Sequence, residues 1–272
     1  MSTPFDELQT LTADFQALEV RLDAEKPDRV VAAMNRPEVL NAIDQTMVNE
    51  FHALCQWLED HPHTLIITGT EAPHPKDPNR TRGIFASGAD IAQLRERRRH
   101  DALRGVNSKI FNRINDLPMP VIAAIDGFAL GGGAELAWAA DFRVASTKVR
   151  FSQPETSLGI SPAAGAMWRI KELAGETIAL ELLLTGRMLN AEEALQYRLI
   201  NSIHEPEDLM DAAHDLADKI AQQDQLAVQV TKRVFKLPRE AHPWADDLGQ
   251  AILFESEAKF DRMQAFLDRR KK

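Results

Sequence analysis

Two glutamates stand in stretches whose other residues favour burial. Glu135 follows three consecutive glycines in "GFALGGGAELAWAAD" (127–141), and Glu155 follows Pro154 in "FSQPETSLGI" (151–160). Each glutamate taken alone is compatible with a capping or surface position. Together they can share one proton in a dry pocket, because burial and a neighbouring carboxylate both disfavour the charged form of a carboxyl group. One neutral and one ionised carboxyl would supply an acid and a base at neutral pH.

The glycines before Glu135 predict backbone N–H groups that are open to a ligand. A strand that ends near Ala129 and a helix that begins in "AELAWAA" (134–140) place the orphan donors of a helix start after the glycines. The stretch "GIFASGADI" (83–91) also runs from a short strand through a glycine into a helix, and it offers an uncovered N–H near Ala89. Two such donors can stabilise negative charge on one oxygen. The alternative is that the glycines serve only close packing and the glutamate is a first-turn acid.

Three other patterns each lack a feature that their chemistry requires. The dinucleotide-binding pattern G-x-G-x-x-G/A, begun at Gly131, has Leu136 in its sixth position. The stretch "GISPA" (159–163) resembles a serine-hydrolase elbow but ends in alanine instead of glycine. The histidines of "HPH" (61–63) have no cluster of carboxylates or cysteines around them in the sequence. The sequence therefore predicts no site of these three kinds and no metal.

Composition and charge limit the partners of this protein. The chain has 272 residues, of which 44% are hydrophobic, and a formal net charge of -9. Nucleic acids and anionic membranes favour basic surfaces, so we expect neither as a partner. The single cysteine, Cys55, cannot form an internal disulfide, which favours a reducing compartment. The first twenty residues lack the pattern of a secretory signal, and Asp126 and Glu135 interrupt the most apolar stretch (118–140), so we expect a cytoplasmic protein.

Hydrophobic periodicity predicts an α/β core followed by a helical tail. Alternation predicts strands at 17–24 and 28–35, and the spacing of apolar residues from Asp44 predicts a helix that stops near His61. Strands and helices alternate to about residue 205. The other predicted elements are a buried strand at 64–69, an exposed loop at 70–82, two helices within 90–115, a strand at 119–130, and helices at 206–222, 225–236 and 243–269.

Five ordered motifs resemble the crotonase superfamily, the enoyl-CoA hydratase/isomerase family. They are "NRPEVLNAID" (35–44), "FASGADI" (85–91), "AAIDGFALGGGAELAWAADFRVAS" (123–146), "FSQPETSLGISP" (151–162) and "ELLLTGRMLNAEEAL" (181–195). The resemblance covers nearly the whole chain from residue 17, and the ending "SEAKFDRMQAFLDRR" (256–270) is similar to the family's last helix.

This resemblance implies a fold, an assembly and a substrate class. The implied fold is a crotonase-like spiral of ββα turns over residues 1–205, followed by a helical region over 206–272 that packs on the core and on neighbouring subunits. The implied assembly is a homotrimer or a homohexamer. The implied substrates are acyl-CoA thioesters, with coenzyme A as part of the substrate and no other cofactor.

The resemblance also implies the residues of the site. The backbone N–H groups of Ala89 and Gly132 would hold the thioester oxygen, and Glu135 and Glu155 match the two catalytic glutamates of the hydratases. The presence of both favours hydration of a trans-2-enoyl-CoA to a 3-hydroxyacyl-CoA, with Glu155 protonating C2. Further residues expected to bind substrate or CoA are Ser87, Gly88, Asp90, Ile91, Gly131, Lys76, Arg82 and Lys259.

The chain departs from the family pattern at several places. "AAGAMWRI" (163–170) replaces a glycine-rich stretch, and its Met167 and Trp168 are expected to narrow or reshape the acyl pocket. The loop 70–82 is longer than in the family, and its cations either contact CoA phosphates or belong to a solvated insertion.

Arg198 and a run of four arginines within residues 95–99 also stand outside this pattern. Arg198 stands where a glycine is common in the family. The arginines of 95–99 are expected to form a solvated helix face.

Two other functions remain open from the sequence. Another enolate-stabilised acyl-CoA reaction, such as isomerisation, decarboxylation or dehalogenation, would use the backbone donors without depending on both glutamates. A non-catalytic or RNA-binding protein of the same fold would depend on neither glutamate, and the acidic net charge argues against RNA.

Overall fold

The structure, a computed structural model, describes residues 3–22 and 26–270. Its strands are β1 (Leu18–Leu22), β2 (Arg29–Met34), β3 (Thr64–Gly69), β4 (Ala72–His74), β5 (Asp77–Arg82), β6 (Ile84–Ala86), β7 (Val121–Ile125), β8 (Phe128–Leu130), β9 (Phe142–Ser146), β10 (Arg150–Ser152) and β11 (Ser202–His204). Its α-helices are α1 (Pro4–Thr12), α2 (Gln45–Asp60), α3 (Ile91–Glu96), α4 (Arg99–Arg104), α5 (Val106–Asn115), α6 (Gly132–Ala139), α7 (Ala166–Ala174), α8 (Glu176–Thr185), α9 (Ala191–Gln196), α10 (Leu209–Ala221), α11 (Gln225–Phe235), α12 (Trp244–Phe254) and α13 (Glu257–Arg269).

The described strands form two sheets and a hairpin. The large sheet has the order β1-β2-β3-β7-β9-β11, in which β1 is antiparallel to β2 and all other neighbours are parallel. The small sheet has the order β10-β8-β6 and is parallel throughout. Strands β4 and β5 pair with each other as the hairpin.

The chain alternates between the two sheets and so forms a spiral. Strands β3, β7 and β9 of the large sheet are each followed by a strand of the small sheet, respectively β6, β8 and β10. Helices α3, α6 and α7 follow these strand pairs along the chain. The predicted spiral of ββα turns is confirmed.

The first helix of the core shows how the sequence fixes an element. Asp44 caps α2 by accepting a hydrogen bond from Met47 N at 2.8 Å. Phe51 and Leu54 continue the buried face of this helix, and each fully buried side chain of this size contributes about 1.5–3 kcal/mol. The helix ends at Asp60, next to the predicted stop at His61.

Three predicted elements differ in detail from the observed ones. The run 119–130, expected to be one strand, is divided between β7 and β8, which belong to different sheets. The region 70–82, expected to be a loop, contains the β4–β5 hairpin. The region 90–115 holds the three helices α3, α4 and α5 rather than two. The last two residues of the predicted strand 17–24 lie outside the described residues.

The sequence signal for the hairpin is weak, whereas the signal for helix α1 is clear. In 70–82 the prolines obscure the strand pattern, and Ala72 is a buried side chain there. Helix α1 begins with Pro4 and with a capping box between Thr3 and Asp6, a signal that the sequence carries in plain form.

The C-terminal region is helical, as predicted, and part of it belongs to the core. Helix α10 buries Leu209, Ala213 and Ala217 in one apolar cluster with residues of the large sheet such as Ile122 and Val144. Helix α10 thus packs directly on the large sheet. The predicted domain boundary at residue 205 stays a prediction. Helix 243–269 was predicted as one element, and the structure divides it into α12 and α13.

The helices beyond α10 carry many exposed apolar side chains. The large exposed ones are Leu226, Phe235, Trp244, Leu248, Ile252, Phe254, Phe260, Met263, Phe266 and Leu267. Exposed apolar side chains in this number are typical of a surface that contacts another molecule. No helix within residues 3–22 and 26–270 is long and apolar enough to cross a membrane.

The backbone conformation at residue 198 explains why a glycine suits this position. Arg198 has φ +62°, in the left-handed region where a side chain costs energy and glycine does not. A glycine at this position would be less strained.

Candidate active site

Glu135 is placed by the turn that joins β8 to α6. Gly131 occupies this turn with φ +47°, a conformation that favours glycine. Its N–H donates to the Ser152 carbonyl at 2.9 Å, which ties the turn to β10. All residues of α6 are buried. Glu135 lies in the first turn of this helix and is only 3% exposed.

The two glycines that follow serve other steric requirements. A Cβ atom at Gly133 would lie 2.3 Å from the Ala86 carbonyl oxygen, so only a glycine lets α6 approach β6 this closely. A Cβ atom at Gly132 would lie 3.3 Å from Ala89 N. The close-packing alternative therefore holds for Gly133, and the absence of a side chain at Gly132 leaves open the space beside Ala89 N.

The backbone amides of Ala89 and Gly132 lie beside each other and are open to a ligand. The segment around Ala89 is fixed by hydrogen bonds to Ile43, in which Ile43 N donates to Gly88 O at 2.8 Å and Asp90 N donates to Ile43 O at 2.9 Å. Neither Ala89 N nor Gly132 N donates to another atom of the described part of the chain. Two fixed donors with no protein partner can bind one oxygen.

The carboxyl group of Glu135 is buried but well bonded. Its Oε1 accepts hydrogen bonds from Ala164 N at 2.7 Å and from Ala166 N at 3.1 Å. Burial raises the pKa of Glu135, while these two N–H groups and the nearby Arg169 charge oppose that rise. The two N–H groups on Oε1 favour the ionised carboxylate, which suits a proton-accepting role.

The carboxyl group of Glu155 has a different environment. Glu155 is 8% exposed, and its Oε2 has no hydrogen-bond partner among the described residues. Burial raises the pKa of Glu155 to about 7, and the negative charge of Glu135 adds to the rise. A neutral carboxyl with a free oxygen can donate a proton, so the two glutamates suit opposite roles.

The two glutamates and the two amides face one cavity. It has a volume of about 910 Å³. Its lining includes Ala89, Leu94, Arg97, Arg98, Arg99, Asp101, Ala102, Gly105, Val106, Asn107, Ser108, Gly132, Glu135, Glu155, Gly159, Ile160, Ser161, Ala163 and Ala164. Arg98 and Arg99 are exposed, as expected for a solvated face, and together with Arg97 they also contribute to the cavity wall. Asn107 and Ser108 line the cavity too, and no sequence pattern points to them.

Five other residues predicted to bind substrate are neighbours in the sequence of Ala89 or Gly132. Some of them have hydrogen-bond partners within the protein. Ser87 N donates to the Leu40 carbonyl at 3.0 Å, and Asp90 caps α3 by accepting from Gln93 N at 3.1 Å. Ile91 is exposed in the first turn of α3. Gly88, with φ +115°, and Gly131 form the turns that carry the two amides.

The remaining predicted residues do not line this cavity. Met167 and Trp168 are 51% and 47% exposed on α7 and do not belong to the cavity wall. The Arg82 guanidinium lies 5.6 Å from the centre of the Phe128 ring, and Lys76 is exposed in the hairpin turn. Lys259 Nζ lies 3.4 Å from the centre of the Phe260 ring on α13.

No group of histidine, cysteine, aspartate and glutamate side chains that could hold a metal ion occurs in residues 3–22 and 26–270.

Comparisons with known proteins define the class of this protein. The enoyl-CoA hydratase/isomerase family model matches residues 29–272. The chain is 35% identical over 259 residues to the short-chain-enoyl-CoA hydratase of Clostridium acetobutylicum, covering 91% of this chain and 94% of that protein. It is 34% identical over 258 residues to the crotonyl-CoA hydratase of Syntrophomonas wolfei, covering 91% and 95% respectively. The crystal structure of an enoyl-CoA hydratase from Bacillus anthracis matches with a TM-score of 0.83 at 27% identity, over 93% of this chain and 97% of that one.

These matches and the ββα spiral show a crotonase-fold α/β protein with a helical C-terminal region. The chain belongs to the enoyl-CoA hydratase/isomerase family. The predicted family, fold class and enzyme class of hydratase-like lyase are confirmed.

The environment of Glu155 leads to a titration that can be measured directly. With side-chain carboxyl carbons labelled by ¹³C, the NMR signal lost in Glu155→Gln should titrate with a midpoint at about 7 in the wild type. Glu135→Gln should lower this midpoint, because it removes a neighbouring negative charge that opposes ionisation. A Glu155 signal that titrates near the ordinary pKa of about 4.3 in both proteins would contradict the dry environment described above.

Proposed function

We propose that this enzyme hydrates trans-2-enoyl-CoA thioesters to 3-hydroxyacyl-CoA. The single observation that carries the proposal is the convergence, on one cavity, of two unpartnered amides and two buried glutamates with different environments. The names of the relatives, short-chain-enoyl-CoA hydratase and crotonyl-CoA hydratase, support a short enoyl chain as the first substrate to test.

The amides would act on the thioester carbonyl. Addition of water at C3 moves negative charge onto the thioester oxygen, giving an enolate. The N–H groups of Ala89 and Gly132 would donate to this oxygen, and removing one such donor commonly costs about 2.7–4 kcal/mol of transition-state stabilisation.

The glutamates would carry the protons. Ionised Glu135 takes a proton from the water as its oxygen bonds to C3, and neutral Glu155 gives its proton to C2 of the enolate. After product formation Glu135 is neutral and Glu155 is ionised, and transfer of a proton from Glu135 to Glu155 restores the starting state. Two N–H groups donate to the Glu135 carboxylate and favour its ionised form, and the pKa of Glu155 is raised. Both features support this division of roles.

Cations near the cavity would bind coenzyme A. The cations Arg97, Arg98 and Arg99 in the cavity wall are suited to its phosphates. Lys76 and Arg82 in the hairpin and Lys259 on α13 stay proposals as additional contacts, as do Met167 and Trp168 as determinants of the acyl pocket. A cytoplasmic location also belongs to this proposal.

Isosteric removal of each carboxyl tests the reaction. Glu135→Gln and Glu155→Gln should each lower the rate of crotonyl-CoA hydration, followed by loss of the conjugated thioester absorbance, by about 10²–10⁴-fold. The matched control is Glu192→Gln, an exposed glutamate on α9, which should leave the rate unchanged. Full activity of Glu135→Gln would exclude the two-glutamate hydration and favour a reaction, such as isomerisation, that uses Glu155 alone.

The pH dependence follows from the direction of the Glu155 shift. The acid form of Glu155 is needed to protonate C2, and its pKa is raised to about 7. We therefore expect kcat/KM to fall as the pH rises through this value, measured with crotonyl-CoA between about pH 6 and pH 9. A flat profile up to the alkaline end would show that the proton donor is not this carboxyl.

The apolar face of the C-terminal helices supports the proposed homotrimer or homohexamer. Light scattering coupled to gel filtration should give the mass of one of these two assemblies for the wild type. Ile252→Asp and Phe260→Asp, two changes on that exposed face, should shift the protein toward smaller species, because a charge buried in an interface is costly. A wild type that is monomeric at micromolar concentration would exclude both assemblies.

A further inference from the structure

A third nitrogen lies beside the two backbone donors of the candidate site. The position that a Cβ atom would take at Gly132 is 3.3 Å from Ala89 N and 3.6 Å from Nδ2 of Asn107. Gly132 N is close to that position by covalent geometry. The space left by the missing side chain is therefore bordered by three nitrogen donors, two from the backbone and one from a side chain of α5.

The orientation of the Asn107 amide is fixed by its other end. Arg97 Nη1 donates to Asn107 Oδ1 at 3.3 Å. A guanidinium has donors and no acceptor, so it selects the oxygen end of the amide and leaves the NH₂ end directed away from it. Asn107 lies in the wall of the cavity. Its Nδ2 donates to no atom in the part of the chain that the structure describes.

We propose that Asn107 Nδ2 donates a third hydrogen bond to the thioester oxygen of the substrate and that Arg97 is the positioning residue that orients it. This inference rests on the proposed function, because it assigns a further binding group to the same oxygen. An asparagine amide stays neutral at every pH at which the enzyme folds, so it adds a donor without adding a titrating group to the pair of carboxyls.

A donor to this oxygen strengthens its bond as negative charge develops there. Loss of such a donor should therefore reduce kcat more than it raises KM. It should also reduce the polarisation of the bound carbonyl before any reaction occurs. A residue that only packed in the wall would affect neither the carbonyl bond nor kcat selectively.

The first measurement is steady-state kinetics with crotonyl-CoA. Asn107→Ala removes the donor, and Asn107→Asp keeps the shape and the acceptor for Arg97 while replacing the donor by a negative oxygen. We expect kcat to fall by about 10²-fold in Asn107→Ala and further in Asn107→Asp, with smaller changes in KM. The matched control is Asn49→Ala, the same change at an exposed asparagine on α2 that lies outside the cavity wall, and it should leave kcat within about twofold.

The second measurement reads the carbonyl itself. Crotonyl-CoA carrying ¹³C at C1 is bound to the Glu135→Gln protein, in which turnover is slow, and the isotope-edited infrared band of its carbonyl is recorded. In this background, Asn107→Ala and Asn107→Asp should move the band to higher frequency, toward that of free crotonyl-CoA, and Asn49→Ala should not. Arg97→Ala should move it part of the way, with Arg97→Lys, which keeps a donor to Oδ1, closer to the Glu135→Gln parent.

The outcomes separate this inference from the proposed function. An unchanged band and an unchanged kcat in both Asn107 variants would overturn the third donor, and so would a change confined to KM, which would indicate contact with another part of the substrate. If wild-type protein fails to hydrate crotonyl-CoA while the labelled band still depends on Asn107, the donor assignment stands and the hydratase proposal fails.

Discussion

The site depends on how closely helix α6 approaches strand β6. Gly133 makes this approach possible, because any side chain there would overlap the Ala86 carbonyl. The neighbouring Gly132 and the nearby Ala89 are thereby brought together, and hydrogen bonds to Ile43 keep the Ala89 segment in place. A contact between two backbones, with no room for adjustment, thus determines where the two amides lie.

Successive turns of the spiral each contribute one part of the cavity. The turn after β6 supplies the Ala89 amide, and the turn after β8 supplies the Gly132 amide and the buried Glu135. The turn after β10 supplies Glu155 and the N–H groups that bond Glu135. Because the three strands are parallel neighbours, the segments that follow them meet at one edge of the small sheet. Two carboxyl groups in one cavity can therefore differ in hydrogen bonding, and hence in proton affinity, since they come from different turns.

Local patterns were sufficient to predict much of the fold and the cavity, but not its walls. The glycines, the buried acids and the alternation of strands and helices leave strong signals over short stretches. The division of the 119–130 run depends on tertiary pairing with two sheets, and the hairpin in 70–82 has little apolar pattern to reveal it. Asn107 could not have been found from spacing, because its relation to Gly132 comes from the packing of α5 against α6.

The arginines at 97–99 have an effect that extends beyond their contacts. The protein as a whole has a net charge of -9, whereas these three cations lie together in the wall of the cavity. The net charge thus repels an anion in solution, whereas these cations attract it. Dissolved salt screens such a field over about 10 Å at 0.1 M ionic strength. Ionic strength should therefore govern how fast a polyphosphate-bearing molecule arrives, and leave the later covalent events largely untouched.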